Sequence, residues 1–141
     1  MGALIEFRVA IESWAARAAA ERRTADGLTP AEELLERMES EDFDEPSFLE
    51  LDLAFHVELS RACGNELAEL VMEGCRRAIA RAMLQVTLEA GEWPAIREQL
   101  RDQHREIYEA IRVGDCDQAS RLVADHIRQF YHLHPQDDDA G

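Results

Sequence analysis

The chain has 141 residues, the length of a single domain, and a formal net charge of −15 from 30 acidic and 15 basic residues. Apolar residues make up 46% of it and charged residues 32%, a normal globular balance. So negative a surface repels nucleic acid and anionic membranes. No apolar run approaches the ~20 residues that span a bilayer, and no signal-peptide pattern opens the sequence. The three cysteines lack C-x-x-C spacing, so we expect reduced thiols in a cytoplasmic protein.

Six helices and no strands are predicted, because Ala, Leu, Glu and Arg dominate while Gly, Pro and β-branched residues are sparse. Short connections between the helices favour an antiparallel bundle. We predict one domain over residues 1–134, followed by an acidic, disordered tail over 135–141. The predicted helices cover approximately residues 3–24, 30–40, 46–63, 66–90, 94–113 and 116–134.

Cap residues set several of these boundaries. Thr29 is predicted to cap the second helix, with Pro30 at its first position and Glu32 three residues after the cap. Gly64 is predicted to end the third helix, and Asn65 to cap the fourth.

Three predicted helices interrupt an apolar face with residues that can bind metal. On the third helix, Asp52 and His56 lie one turn apart beside the apolar stripe. On the fifth and sixth helices, His104 and His126 each occupy the position of a missing member of an apolar stripe. By contrast, His132 is predicted to lie on the surface near the end of the last helix, as is His134.

The Asp-x-x-x-His spacing alone is weak support, since acidic residues are common here and a surface ion pair would explain it equally well. A single histidine on an apolar face is usually a hydrogen-bonded core residue. Three of them with an aspartate are harder to explain that way, because a buried charge is costly unless it is paired or bound to metal. Such a set suits zinc, nickel, manganese or iron, either in a closed tetrahedral site or with two open positions.

Three segments together resemble a known family. They are "FRVAIESWAARAAAERRT" near the start, "LDLAFHVELSRACGNELAELV" in the middle and "DQHREIYEAIRVGDCDQASRLVADHI" near the end. Their order and spacing are similar to those of the C-terminal effector-binding and dimerisation (FCD) domain of the FadR subfamily of GntR transcription regulators.

The resemblance implies an all-α antiparallel bundle of about six helices around a central metal and ligand cavity. It implies one divalent metal ion, with zinc, nickel or manganese favoured, held by Asp52, His56, His104 and His126. It also implies a small carboxylate effector and a homodimer. The family carries a winged helix-turn-helix domain ahead of this one, which we do not find in this sequence, so we expect no nucleic-acid binding by the chain alone and no membrane contact.

Two further residues are candidates for effector binding. Arg8 interrupts the apolar face of the first helix, where it could clamp a carboxylate. It could equally pair with Glu12 or extend its charged end towards water. Asn65 is the second candidate, although its position also suits a helix cap.

Two other functions remain open from the sequence. A mononuclear metal with open positions could activate water for catalysis on small organic acids, and a closed zinc site could simply stabilise a dimerisation module. Neither H-E-x-x-H nor a glutamate three residues before any histidine is present. We therefore expect no enzyme activity and name no catalytic residues.

Overall fold

A computed structural model describes residues 1–132, which form six α-helices and no strands. The predicted all-α architecture is confirmed. None of these helices is both long and apolar enough to cross a membrane. The helices are α1 (Gly2–Arg22), α2 (Ala25–Ser40), α3 (Glu45–Ala62), α4 (Glu66–Ala90), α5 (Trp93–Val113) and α6 (Cys116–Tyr131).

Helix α1 packs most extensively against α6 and also contacts α3 and α5. Its buried face is built from small side chains, all at most 4% exposed, namely Ala15, Ala16, Ala18, Ala19 and Ala20. The distance between packed helices depends on the side chains at their contact. An alanine face therefore lets α6 approach α1 closely, and both helices contribute to the site described below.

Helix α2 begins five residues before the predicted start, so the prediction that Thr29 caps it is wrong. Thr24 is the cap, because its backbone is extended and its side chain accepts a hydrogen bond of 3.0 Å from the backbone N–H of Gly27. Thr29 lies inside the helix and donates to the carbonyl of Ala25 at 3.2 Å. Pro30 is also internal and lacks the N–H of one helical bond, but the buried face of α2 keeps the helix intact.

Most other boundaries agree with prediction to within a residue or two. Asn65 caps α4, as predicted, accepting bonds of 2.9 and 3.2 Å from the backbone N–H groups of Leu67 and Ala68. Helix α5 ends at Val113 and is followed by Gly114, whose φ of 78° is readily adopted by glycine. Helix α6 ends at Tyr131, and its predicted end near residue 134 lies outside the described residues, as does the predicted tail.

The close packing of α1 predicts a stability difference between its two faces. Ala19→Leu should destabilise the protein by about 1–3 kcal/mol, because the buried face has no room for three more carbon atoms. Ala10→Leu on the exposed face is the matched control and should change the free energy of unfolding by less than about 0.5 kcal/mol. Urea unfolding measures both, and equal effects would contradict this packing.

Candidate metal centre

Four buried side chains from three helices converge in the core. Asp52 and His56 come from α3, His104 from α5 and His126 from α6, and each is at most 4% exposed. One potential ligand atom from each lies within 4.8 Å of the others. The structure thus brings together all four residues that the sequence singled out as metal ligands, and we refer to them as the Asp/His cluster.

The separations within the cluster match those of neighbouring ligands around one metal ion. Oδ1 of Asp52 lies 3.2 Å from Nε2 of His56 and 3.0 Å from Nε2 of His104. Nε2 of His56 lies 3.2 Å from Nε2 of His126. Ligands about 2.1 Å from a metal and about 90–110° apart are about 3.0–3.4 Å from one another. These three pairs of donor atoms are therefore spaced like neighbouring ligands of one metal ion.

Several atoms of the cluster have no hydrogen-bond partner among the described residues. They are both carboxylate oxygens of Asp52 and both ring nitrogens of His104. Although Nε2 of His104 is only 3.0 Å from Oδ1 of Asp52, this contact lacks the alignment of a hydrogen bond, so it satisfies neither atom fully. Buried polar atoms without partners are rare in native proteins, and a metal ion bound here would satisfy Asp52 and the ring nitrogen of His104 that faces it.

Two residues outside the cluster orient its imidazoles. Nδ1 of His56 lies 2.5 Å from Oε1 of Glu12, and Nδ1 of His126 lies 2.6 Å from Oε1 of Gln103. Carboxylate and amide oxygens accept hydrogen bonds, so each Nδ1 carries the proton and donates it. Both rings consequently turn Nε2 towards the cluster. Two bare nitrogen lone pairs 3.2 Å apart repel each other unless a cation, either a proton or a metal ion, lies between them.

No site role was predicted from the sequence for Glu12 or Gln103. Two features could have indicated a site role for Glu12: it lies on the buried face of α1, and it was already considered as the partner of Arg8. No sequence feature indicated a site role for Gln103. Its neighbour His104 accounts for the buried position on that turn of α5, and Gln103 itself is half-buried.

The surroundings shift the pKa values of the cluster in opposite directions. Burial would raise the pKa of Asp52, but its contacts with the imidazoles of His104 and His56 outweigh it and hold this pKa well below its usual value. Burial would lower the pKa of His56, but Glu12 and Asp52 outweigh it and raise this pKa to about 9. For His126, burial and then the proximity of the His104 and His56 imidazoles hold the pKa well below its usual range.

Without a proton or a metal ion on the imidazoles, the buried side chains of the site would carry a net negative charge. Asp52 and Glu12 are both buried and ionised, Glu12 with a pKa lowered to about 2 because Arg8 and His56 outweigh its burial. Arg8 supplies one buried positive charge against these two carboxylates. A proton on His56, whose pKa is raised, restores neutrality, whereas a divalent metal ion in the cluster would leave one positive charge.

The two residues predicted to bind an effector have different surroundings. Arg8 is 2% exposed and donates to Glu12 through Nε at 2.6 Å and Nη2 at 3.3 Å, and to the Tyr131 hydroxyl through Nη1 at 3.0 Å. The pair with Glu12 considered from the sequence is therefore present. An arginine has five N–H donors, so two remain for another acceptor. Asn65 uses its side-chain oxygen to cap α4, and its role in effector binding stays a prediction.

The remaining histidines lie apart from this centre where the structure describes them. His132 follows α6 and is exposed, as predicted, while His134 lies beyond the described residues.

A surface groove of about 270 Å³ borders the cluster, and its lining includes His126 and Gln103 together with the carboxylates of Glu106 and Asp125. Two acidic groups at this groove favour the approach of cations.

Comparison with known proteins identifies the family of this chain. Residues 3–129 match the FCD domain family. The chain is also 29% identical over 129 residues to the "HTH-type transcriptional regulator LutR" of Bacillus subtilis (strain 168). That alignment covers 88% of this chain and 57% of the relative, so the chain spans little more than half of the relative's length. Since the family match extends over nearly all of α1 to α6, the chain belongs to the FCD domain family.

Proposed function

We propose that the chain is the metal-dependent, carboxylate-sensing and dimerisation domain of a GntR/FadR-type transcription regulator. Membership of the FCD family supports this proposal, as does the similarity to a relative whose name describes a helix-turn-helix transcriptional regulator. The observation that carries it is the Asp/His cluster, in which four buried donor atoms converge and several lack partners.

The cluster fits one divalent metal ion. Three imidazoles and one carboxylate are ligands that zinc, nickel and manganese accept, and Asp52, His56, His104 and His126 would hold the ion. Once bound, the metal would supply a Lewis-acidic centre at which oxygen donors can bind. A small carboxylate with an adjacent hydroxyl offers two such donors.

Arg8 is the buried cation best placed for the far end of such a carboxylate. It contacts Glu12, which contacts His56, so the guanidinium lies one residue away from the cluster. Its two remaining N–H groups could donate hydrogen bonds to an anionic oxygen. Charge-assisted bonds of this kind are among the stronger hydrogen bonds in proteins.

Exposed apolar side chains support the proposed homodimer. Phe7 and Trp14, two turns apart on α1, are 38% and 41% exposed. On α4, Leu67, Leu70 and Leu88 are between 65% and 69% exposed. Large apolar side chains exposed together commonly mark contact surfaces, and burial of these two faces would account for them.

Single ligand substitutions should remove the metal. His56→Ala, His104→Ala and His126→Ala should each abolish or sharply reduce the metal content, because each removes one donor from the cluster. Elemental analysis after dialysis measures the content, with His132→Ala as the exposed control that should retain one ion per chain. Undiminished metal in all three cluster variants would contradict the assignment.

Removal of the metal should also lower the thermal stability. Chelation is expected to lower the melting temperature by several degrees, because an ion that binds only the native state stabilises it. Readdition of zinc should restore the original value. A melting temperature that is the same with and without the ion would show that metal and fold are uncoupled.

Carboxylate binding should depend on both the metal and Arg8. Calorimetry is expected to show binding of a small hydroxycarboxylate such as lactate or a dicarboxylate such as malate to the metal-loaded protein only. Arg8→Lys keeps a charge beside Glu12 but loses the fork geometry, and should weaken binding by about 1.5–3 kcal/mol. The matched control is Arg17→Lys, an exposed arginine of the same helix.

Four outcomes would exclude parts of this proposal. Equal carboxylate affinity in metal-free and metal-loaded protein would remove the metal from recognition, and unchanged affinity in Arg8→Lys would remove the arginine. Turnover of the bound acid would favour the metalloenzyme considered from the sequence. Tight metal binding without carboxylate binding would favour the structural zinc module.

A further inference from the structure

We propose that Glu12 of α1 is a positioning residue of the metal centre, a role that rests on the proposed metal binding. Its carboxylate holds His56 by Nδ1, so that Nε2 faces the other donors of the cluster. Through this contact, the presence of the metal is linked to the position of α1.

The contacts of Glu12 extend beyond a simple ion pair with Arg8. Its side chain is buried, and both oxygens contact Arg8 while one of them also contacts His56. Oε2 lies 2.6 Å from Nε of Arg8, whereas Oε1 lies 2.5 Å from Nδ1 of His56 and 3.3 Å from Nη2 of Arg8. The shorter contact of Oε1 is with the histidine. Pairing with Arg8 alone would not require an oxygen placed against the imidazole.

The consequence for His56 follows from its tautomer. A neutral imidazole has one nitrogen that donates and one that accepts. A carboxylate at Nδ1 fixes the proton there and leaves the Nε2 lone pair for a metal, as residues that support metal-bound histidines commonly do. Without an acceptor at Nδ1, the ring could place its proton on either nitrogen and rotate, and part of the population would turn a protonated nitrogen towards the metal.

The same contact connects His56 on α3 to helices α1 and α6. Arg8 continues from Glu12 to the Tyr131 hydroxyl at 3.0 Å, in the last turn of α6. A hydrogen-bonded chain therefore runs from His56 on α3 through Glu12 and Arg8 on α1 to Tyr131. Since buried hydrogen-bonded networks have few alternative arrangements, an ion that fixes His56 also restricts α1.

Three variants distinguish a positioning role of Glu12 from an effect on the stability of the fold. Glu12→Gln keeps an oxygen that can accept from Nδ1 and removes the charge. Arg8→Met combined with Glu12→Leu removes the whole ion pair, a replacement that buried pairs often tolerate, and leaves His56 without its acceptor. Glu6→Gln, an exposed carboxamide substitution on the same helix, is the matched control.

Zinc affinity is measured by competition with a chromophoric chelator, and the His56 ring by nitrogen–proton NMR correlation of the zinc-loaded protein. The double variant should lose on the order of 10–100-fold in zinc affinity, as well as the protected Nδ1–H signal of His56. Glu12→Gln should keep that signal and lose less affinity, and Glu6→Gln should match the unsubstituted protein in both measurements.

Folded variants that bind zinc as tightly as the unsubstituted protein, with the same His56 signal, would overturn this inference while leaving the metal site intact. An affinity loss in the double variant with an unchanged His56 signal would also overturn it, because the loss would then not arise from the ring. Failure of the unsubstituted protein to bind zinc would overturn the proposed function and this inference with it.

Discussion

The interaction on which the rest of the structure depends is the burial of a carboxylate among three imidazoles. Asp52 is 1% exposed and has no aligned hydrogen bond to either oxygen among the described residues. The nearby imidazoles favour its ionised form, so its charge must be balanced in place. Because Arg8 is already committed to Glu12, the balancing cation belongs in the Asp/His cluster. A proton on His56 would balance the charge, and a divalent metal ion would both balance it and bind donor atoms that lack partners.

The helical packing serves this centre because each contributing helix supplies a different part of it. One turn of α3 places two ligands on a single face through the helical period, while α5 and α6 add one imidazole each. Helix α1 contributes no cluster residue, yet its alanine face allows close contact with α6, and Glu12 and Arg8 extend from it towards His56 and Tyr131. Binding of an ion to the cluster would consequently stabilise contacts among four helices at once.

Local patterns were sufficient to predict the helices and the four cluster residues. Composition indicated helices, and polar residues on apolar faces indicated where a core face is interrupted for chemistry. The start of α2 was wrong by five residues, because both Thr24 and Thr29 can cap a helix and Pro30 suited the first position of the later one. The choice between them depends on the packing of α2, which the local sequence does not contain.

The contacts that orient the cluster could not be predicted in the same way. Glu12 and His56 are 44 residues apart in sequence, and Arg8 and Tyr131 are 123 apart. Each of these residues has an acceptable local explanation, such as the pairing of Arg8 with Glu12 one turn later. Only the three-dimensional arrangement shows that a single carboxylate serves both an arginine and an imidazole.

The measurement that tests the central claim most directly is X-ray absorption spectroscopy of the zinc-loaded protein. The account predicts a first shell of nitrogen and oxygen only, at about 2.0–2.1 Å, with the scattering pattern of three imidazoles. The chain has three free cysteines outside the cluster, Cys63, Cys75 and Cys116, which offer a distinguishable alternative. Sulfur at about 2.3 Å, or fewer than three imidazoles, would contradict the claim that Asp52, His56, His104 and His126 hold the ion.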